Sequence, residues 1–246
     1  MYYKFRRIAI GLLSLLLWGC EEEQIATSQA GSSFASKETY LLSTAYQKGD
    51  ASVYGVQEFL FATNHTDTLT TQRYSLAHRG VAPNFLANFF FANDSFLVLD
   101  TAQESESKGL YRGLLTSQEV VWKIDFGPEV GLRVVDDSSE FPVLDAYQFP
   151  DSLNTRSGIN VYVESDDGDF MTVGVQGVDG KQVFKTVPTP VATASFINGE
   201  LGDILRNSDV VFLDISVFRG KSVNADGAKV NAVKISRYRY PIRVVK

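Results

Sequence analysis

Apolar and polar positions alternate in short runs from about Ser36 onward, and turn-forming residues separate the runs. Val53 to Thr63 is apolar and aromatic, Asn64-His65-Thr66-Asp67 interrupts it, and Thr68 to Leu76 resumes with a polar lean. Two such runs around a polar break predict neighbouring strands. Phe85 to Ala92 contains Phe89-Phe90-Phe91, stops at Asn93-Asp94 and returns as Ser95 to Asp100, which predicts a tight hairpin. Glu119 to Phe126 and Gly131 to Val135 flank a Gly127-Pro128 turn. The most regular stretch is Gly158 to Val187. There Ile159, Val161 and Val163 alternate with Asn160, Tyr162 and Glu164; Ser165 to Asp169 turns the chain, Phe170 to Gln176 comes back, and Val178 to Lys181 turns it again before Gln182 to Val187. This predicts a three-strand antiparallel meander, with Asp-Gly suited to turns that need positive φ. Val210 to Phe218 and Val230 to Tyr240 predict two more strands around Asn224-Ala225-Asp226-Gly227. Pro241 cannot donate a ladder hydrogen bond, so the last strand is expected to be an edge or to bend there. Gly199 to Asn207 is the best helix candidate.

A strand roughly every ten to twelve residues and no long helical period predict an all-β fold, an antiparallel β-sandwich or jelly roll. A closed up-and-down β-barrel is the alternative. Composition agrees: 17 Phe and 11 Tyr suit pleated surfaces. The 44% apolar content of 246 residues suffices for a core. The segment from Asp136 to Ser157 reads as loops with Pro142 and Pro150, but no shift in composition divides the chain, so 37–246 is expected to be a single β domain.

The first residues have a different character. Lys4, Arg6 and Arg7 precede an apolar run from Ile8 to Trp18, and the run ends at Cys20 against Glu21-Glu22-Glu23. Positive start, short apolar core and small residue before the break are the order of an export signal. The run is shorter than the about 20 apolar residues that span a bilayer. Leu17, Gly19 and Cys20 resemble the lipobox of bacterial lipoproteins. The resemblance implies that residues 1–19 are removed and that the Cys20 sulfur receives a diacylglycerol, with residues 20–36 as a flexible tether. It also implies attachment to a lipid membrane. Cys20 is the chain's one cysteine, so no intramolecular disulfide can form. Glu21-Glu22-Glu23 resembles the acidic export tag of Bacteroidota surface lipoproteins, which implies the outer membrane. In that phylum Asp-Ser/Thr triplets are O-glycosylated, so the resemblance extends to Thr68, Thr101 and Ser152.

Charge narrows the partners. Losing Lys4, Arg6 and Arg7 with the signal takes the net charge from −6 to −9, which argues against nucleic acid. Catalytic signals are missing: His65 and His78 fall in polar, loop-like text, with no Gly-x-Ser-x-Gly elbow and no His-Glu-x-x-His pair. No cofactor is implied. Asp136, Asp137 and Glu140, and then Asp166, Asp167 and Asp169, are weak calcium candidates, with solvated turns the plainer account. Tyr238 and Tyr240 project from one face of the last strand and Arg237 and Arg239 from the other. They are the ligand-binding candidates, although one face of a sandwich strand must be core. Lys234, Arg237, Arg239, Arg243 and Lys246 form a basic strip on an acidic chain.

The expectation is therefore a lipid-tethered, non-catalytic binding or envelope-assembly module with a glycan or an envelope protein as partner. Two rivals remain. A polysaccharide hydrolase needs two carboxylates about 5 to 9.5 Å apart. A barrel for an apolar ligand would line its cavity with the phenylalanines from Phe89 to Phe96.

Overall fold

A computed structural model describes residues 49–246 apart from 64, 81–82, 100–109 and 226. It is an all-β sandwich built on one long sheet that backs two small ones. The long sheet contains β1 (Ala51–Phe61), β2 (Thr68–Arg79), β5 (Val98–Leu99), β6 (Leu110–Leu114), β10 (Ser152–Asn154), β12 (Phe170–Gly177), β13 (Gln182–Pro188), β15 (Val210–Ala225) and β16 (Ala228–Val245). Its order is β13-β12-β15-β16-β1-β2-β6-β5, with β10 also paired to β16. A four-stranded sheet has the order β4 (Ser95–Phe96), β3 (Phe89–Ala92), β7 (Val120–Asp125), β8 (Leu132–Asp137), and a three-stranded sheet has the order β14 (Val191–Phe196), β11 (Ile159–Glu164), β9 (Ala146–Gln148). The helix α1 spans Asn198–Arg206 and buries Leu201, Ile204 and Leu205.

The alternation of β16 explains the layers. Its even-numbered residues share one face of the long sheet. At one end Ala228, Val230 and Ala232 pack with Phe90, Ala92, Trp122 and Ile124 of the four-stranded sheet. At the other end Tyr240, Ile242 and Val244 pack with Ile159, Val161, Val163, Ala194 and Phe196 of the three-stranded sheet and with α1. Each large apolar side chain so buried contributes about 1.5–3 kcal/mol. Two cores thus share this face of the backing sheet, while Tyr54, Val56, Val233 and Ile235 join a third cluster on its other face.

Several expectations change. The long sheet is open, with β13 and β5 at its ends, so the closed barrel is not formed. The meander is also corrected. β12 and β13 pair as expected, but β11 pairs with β14 and β9 in the other layer. The acidic turn is a crossover between sheets: Ser165 N donates to Pro190 O at 2.8 Å, and Asp169 N donates to Phe218 O at 2.7 Å. Gly168 sits so close to β15 that a Cβ there would come 2.6 Å from Val217 Cγ1.

The last strand is central. β16 pairs antiparallel with β15, and parallel with β1 from Ala51↔Val230 to Leu60↔Arg239 and with β10 from Ser152↔Arg243. Pro241 falls in the gap between β1 and β10, where its missing N–H leaves no ladder partner short. Its carbonyl accepts a hydrogen bond from His65 Nε2 at 2.8 Å. The expected helix and the Asn93-Asp94 hairpin are present, with φ of 46° and 63° at the two turn residues. Among the described residues no helix is long and apolar enough to cross a membrane.

Candidate functional site

An antiparallel sheet with one buried face ordinarily turns polar residues outward. The four-stranded sheet does not. Its inner face carries Phe90, Ala92, Trp122, Ile124 and Val135, all buried. Its outer face carries Phe89, Phe91, Phe96, Leu132 and Val134. Phe89 is 49% exposed, Phe96 47%, Leu132 52% and Val134 53%. The register arranges them in two rows. Phe89, Asp125 and Leu132 form one, and Phe96, Phe91, Lys123 and Val134 the next. The Phe96 ring lies 5.8 Å from Phe89 and 5.4 Å from Phe91. The result is a solvent-facing platform, aromatic at one side and aliphatic at the other, with one Lys and one Asp between. Lys123 Nζ bonds the Asp94 carboxylate, and Asp125 Oδ1 accepts from Gly127 N at 2.9 Å.

This sheet is fastened firmly to the long one. Trp122 Nε1 donates to Ser75 Oγ at 3.0 Å, and Ser75 Oγ donates to Tyr54 O at 3.0 Å, which ties β7 to β2 and β1. Lys234, on β16 and 0% exposed, donates to the carbonyls of Gln118, Asp137 and Ser139. Those three carbonyls lie where β7 begins and β8 ends. Burial lowers the pKa of Lys234, while Asp137 opposes that shift.

The residues singled out in the sequence go elsewhere. Tyr238 and Tyr240 do face away from Arg237 and Arg239, but Tyr240, Arg237 and Arg239 are buried, which corrects their reading as a surface. Tyr240 stacks on Phe61 at 4.4 Å, and Tyr238 stacks on Phe59 at 5.0 Å. Burial raises both phenol pKa values. Arg237 Nη2 meets Asp214 Oδ2 at 2.8 Å, and Arg239 Nε meets Asp214 Oδ1 at 2.7 Å. Arg237 also reaches Glu58 at 3.2 Å, and Arg239 reaches Gln176 at 2.6 Å. The basic strip is accordingly divided: Lys234, Arg237 and Arg239 lie inside, while Arg243 and Lys246 are exposed, Lys246 pairing with Asp209 at 2.7 Å.

His65 is largely enclosed, with φ 61°, donates to Pro241 O and stands 4.0 Å from Asp151. His78 lies in β2 rather than a loop, and burial lowers its pKa. His78 corrects the loop-like reading, whereas His65 lies between β1 and β2 as that reading expected. Asp166 and Asp167 are exposed turn residues, and Asp169 Oδ2 accepts from Gly220 N at 2.8 Å. Asp137 accepts from Ser139 Oγ at 2.6 Å. Neither Asp136, Asp137 and Glu140 nor Asp166, Asp167 and Asp169 gathers into a cage: among the described residues no group of three or more His, Cys, Asp or Glu is placed to hold a metal ion. Thr68 and Ser152 are exposed first residues of β2 and β10, while Thr101 and Cys20 lie outside the described residues. The phenylalanines do not line a cavity. Phe90 and Leu97 point into solid core, and Phe89 and Phe96 point to solvent.

The platform residues were therefore missed as a site, although a signal existed. Phe89-Phe90-Phe91-Ala92 is an unbroken apolar run in a hairpin, and an unbroken run means that both faces of the strand are apolar.

No protein-family model matches the chain, and no curated protein matches it.

Proposed function

We propose that this chain is exported, lipidated at Cys20 and held at the outer membrane, where its β-sandwich acts as a non-catalytic binding or assembly module that docks through the outer face of the four-stranded sheet. One observation carries the reading: a rigid sheet exposes four large apolar side chains in register on the face that should be polar. Contiguous apolar surface of this kind marks interaction sites. The chemistry favours a protein over a glycan. Sugar hydroxyls call for convergent polar groups, and the platform offers Lys123, already held by Asp94, and Asp125 among its apolar side chains, with Asp136 one row beyond. Attachment through Cys20 rests on the lipobox resemblance of Leu17, Gly19 and Cys20.

The test uses the full chain in its own envelope. Phe89→Ser with Phe96→Ser is expected to abolish cross-linked capture of an envelope protein while thermal stability stays near that of the parent chain. Capture that survives both substitutions contradicts the docking face. Cys20→Ser is expected to stop incorporation of labelled palmitate, and continued labelling contradicts the anchor.

A further inference from the structure

The two rows of the platform are complementary to each other. Asp125 in the first row stands one step along β7 from Lys123 in the second; Phe89 stands one step along β3 from Phe91; Leu132 stands one step along β8 from Val134. A two-fold axis running across the strands between these rows would lay the first row of one chain over the second row of another. Asp125 then faces Lys123, Lys123 faces Asp125, the aromatic side faces Phe89, Phe91 and Phe96, and Leu132 faces Val134. Every contact occurs twice, which is the requirement of an isologous interface. Sheets packed face to face sit about 10 Å apart with strands nearly aligned, and this arrangement sets β3, β7 and β8 over their own copies. Shifting the axis by half the row spacing, one residue along the strand, in either direction puts Lys123 on Lys123 or Asp125 on Asp125, so charge selects one register.

We infer that the partner of the platform is a second copy of this chain, packed face to face with Lys123 of each copy against Asp125 of the other. This rests on the reading of the platform as a docking face. The platform brings seven side chains per copy, against roughly 20–30 residues a side in most specific complexes, so association belongs to chains concentrated on a surface rather than to dilute solution.

The experiment is zero-length carbodiimide coupling, which joins a lysine amine to a carboxylate only where the two touch. It is applied to full chains in envelopes mixed from isotopically light and heavy cells, then fused. The expected result is a mixed light–heavy peptide pair linking Lys123 to Asp125, alongside the single-isotope link from Lys123 to Asp94. Lys123→Asp and Asp125→Lys each set like charges face to face and leave no amine–carboxylate pair to couple, so each is expected to lower the yield of the mixed link roughly tenfold or more. The double substitution restores it to within about threefold. A wild-type chain with no mixed Lys123–Asp125 link overturns the proposal without needing any variant. A folded double substitution that stays as poor as the single ones overturns it too. If no mixed link forms but Phe89→Ser with Phe96→Ser still abolishes capture of another protein, self-association falls and the docking face stands. If those serines change nothing either, both fall.

Discussion

Asp214 sits between two guanidinium groups in the interior and accepts hydrogen bonds from both. Removing the carboxylate leaves Arg237 and Arg239 buried without their common counter-charge, and breaking a buried pair from one side costs about 3–5 kcal/mol. Asp214→Ala is therefore expected to shift urea unfolding by that amount, and a loss under about 1 kcal/mol would show the network to be solvated. His78 gives a pH signature. Burial lowers its pKa below the ordinary 6.5, so the unfolded chain takes up a proton at a pH where the folded chain does not. Its effect is absent well above pH 6.5, and stability falls as the pH drops from about 6.5 toward the folded value. The thermal midpoint of His78→Gln, followed from pH 7.5 to 5.5, is expected to fall less steeply than that of the parent. Parallel curves would contradict this. At this scale the sequence was legible in part. Alternation placed Tyr238 and Tyr240 opposite Arg237 and Arg239 correctly, because side chains change face at every residue. It could not tell that the arginines are enclosed, since their partners Asp214, Glu58 and Gln176 lie on other strands far away in the chain.

Strands show the same limit in a different form. Phe170 to Gln176 and Gln182 to Val187 pair as their turn predicts, because a short Asp-Gly connection leaves few alternatives. Ile159 to Glu164 has equally clear alternation but belongs to the opposite layer. A period of two reports which face is buried and says nothing about which strand lies beside it. The exchange of sheets depends on Ser165 and Asp169 bonding to Pro190 and Phe218, contacts no local pattern announces. Lys234 is a further case: in sequence it is one charge in a basic strip, and in the fold it joins β16 to the ends of β7 and β8. Lys234→Met keeps the length of the stem and removes the three donated bonds. Each buried acceptor left unsatisfied costs about 1–3 kcal/mol, so a loss of about 3 kcal/mol or more is expected. Backbone amides of β7 and β8 should also exchange faster than those of β15. Equal protection across the two regions would contradict that role for Lys234.

For the whole molecule, the long sheet sets how two small sheets are displayed. The first strand lies beside the last, β1 against β16, so the backing sheet runs continuously under both cores. The three-stranded sheet and α1 complete one core, while the four-stranded sheet completes the other and leaves its outer face apolar. The central claim is that this face, and not the rest of the surface, meets a partner. A photo-reactive phenylalanine analogue placed at Phe96 in whole cells tests it directly, with the same group at Val191 on the three-stranded sheet as the control; both positions are exposed. The account predicts a cross-linked adduct, with a second copy of the chain or with another envelope protein, at Phe96 and none at Val191. Adducts of equal yield at both positions, or at Val191 alone, would contradict it.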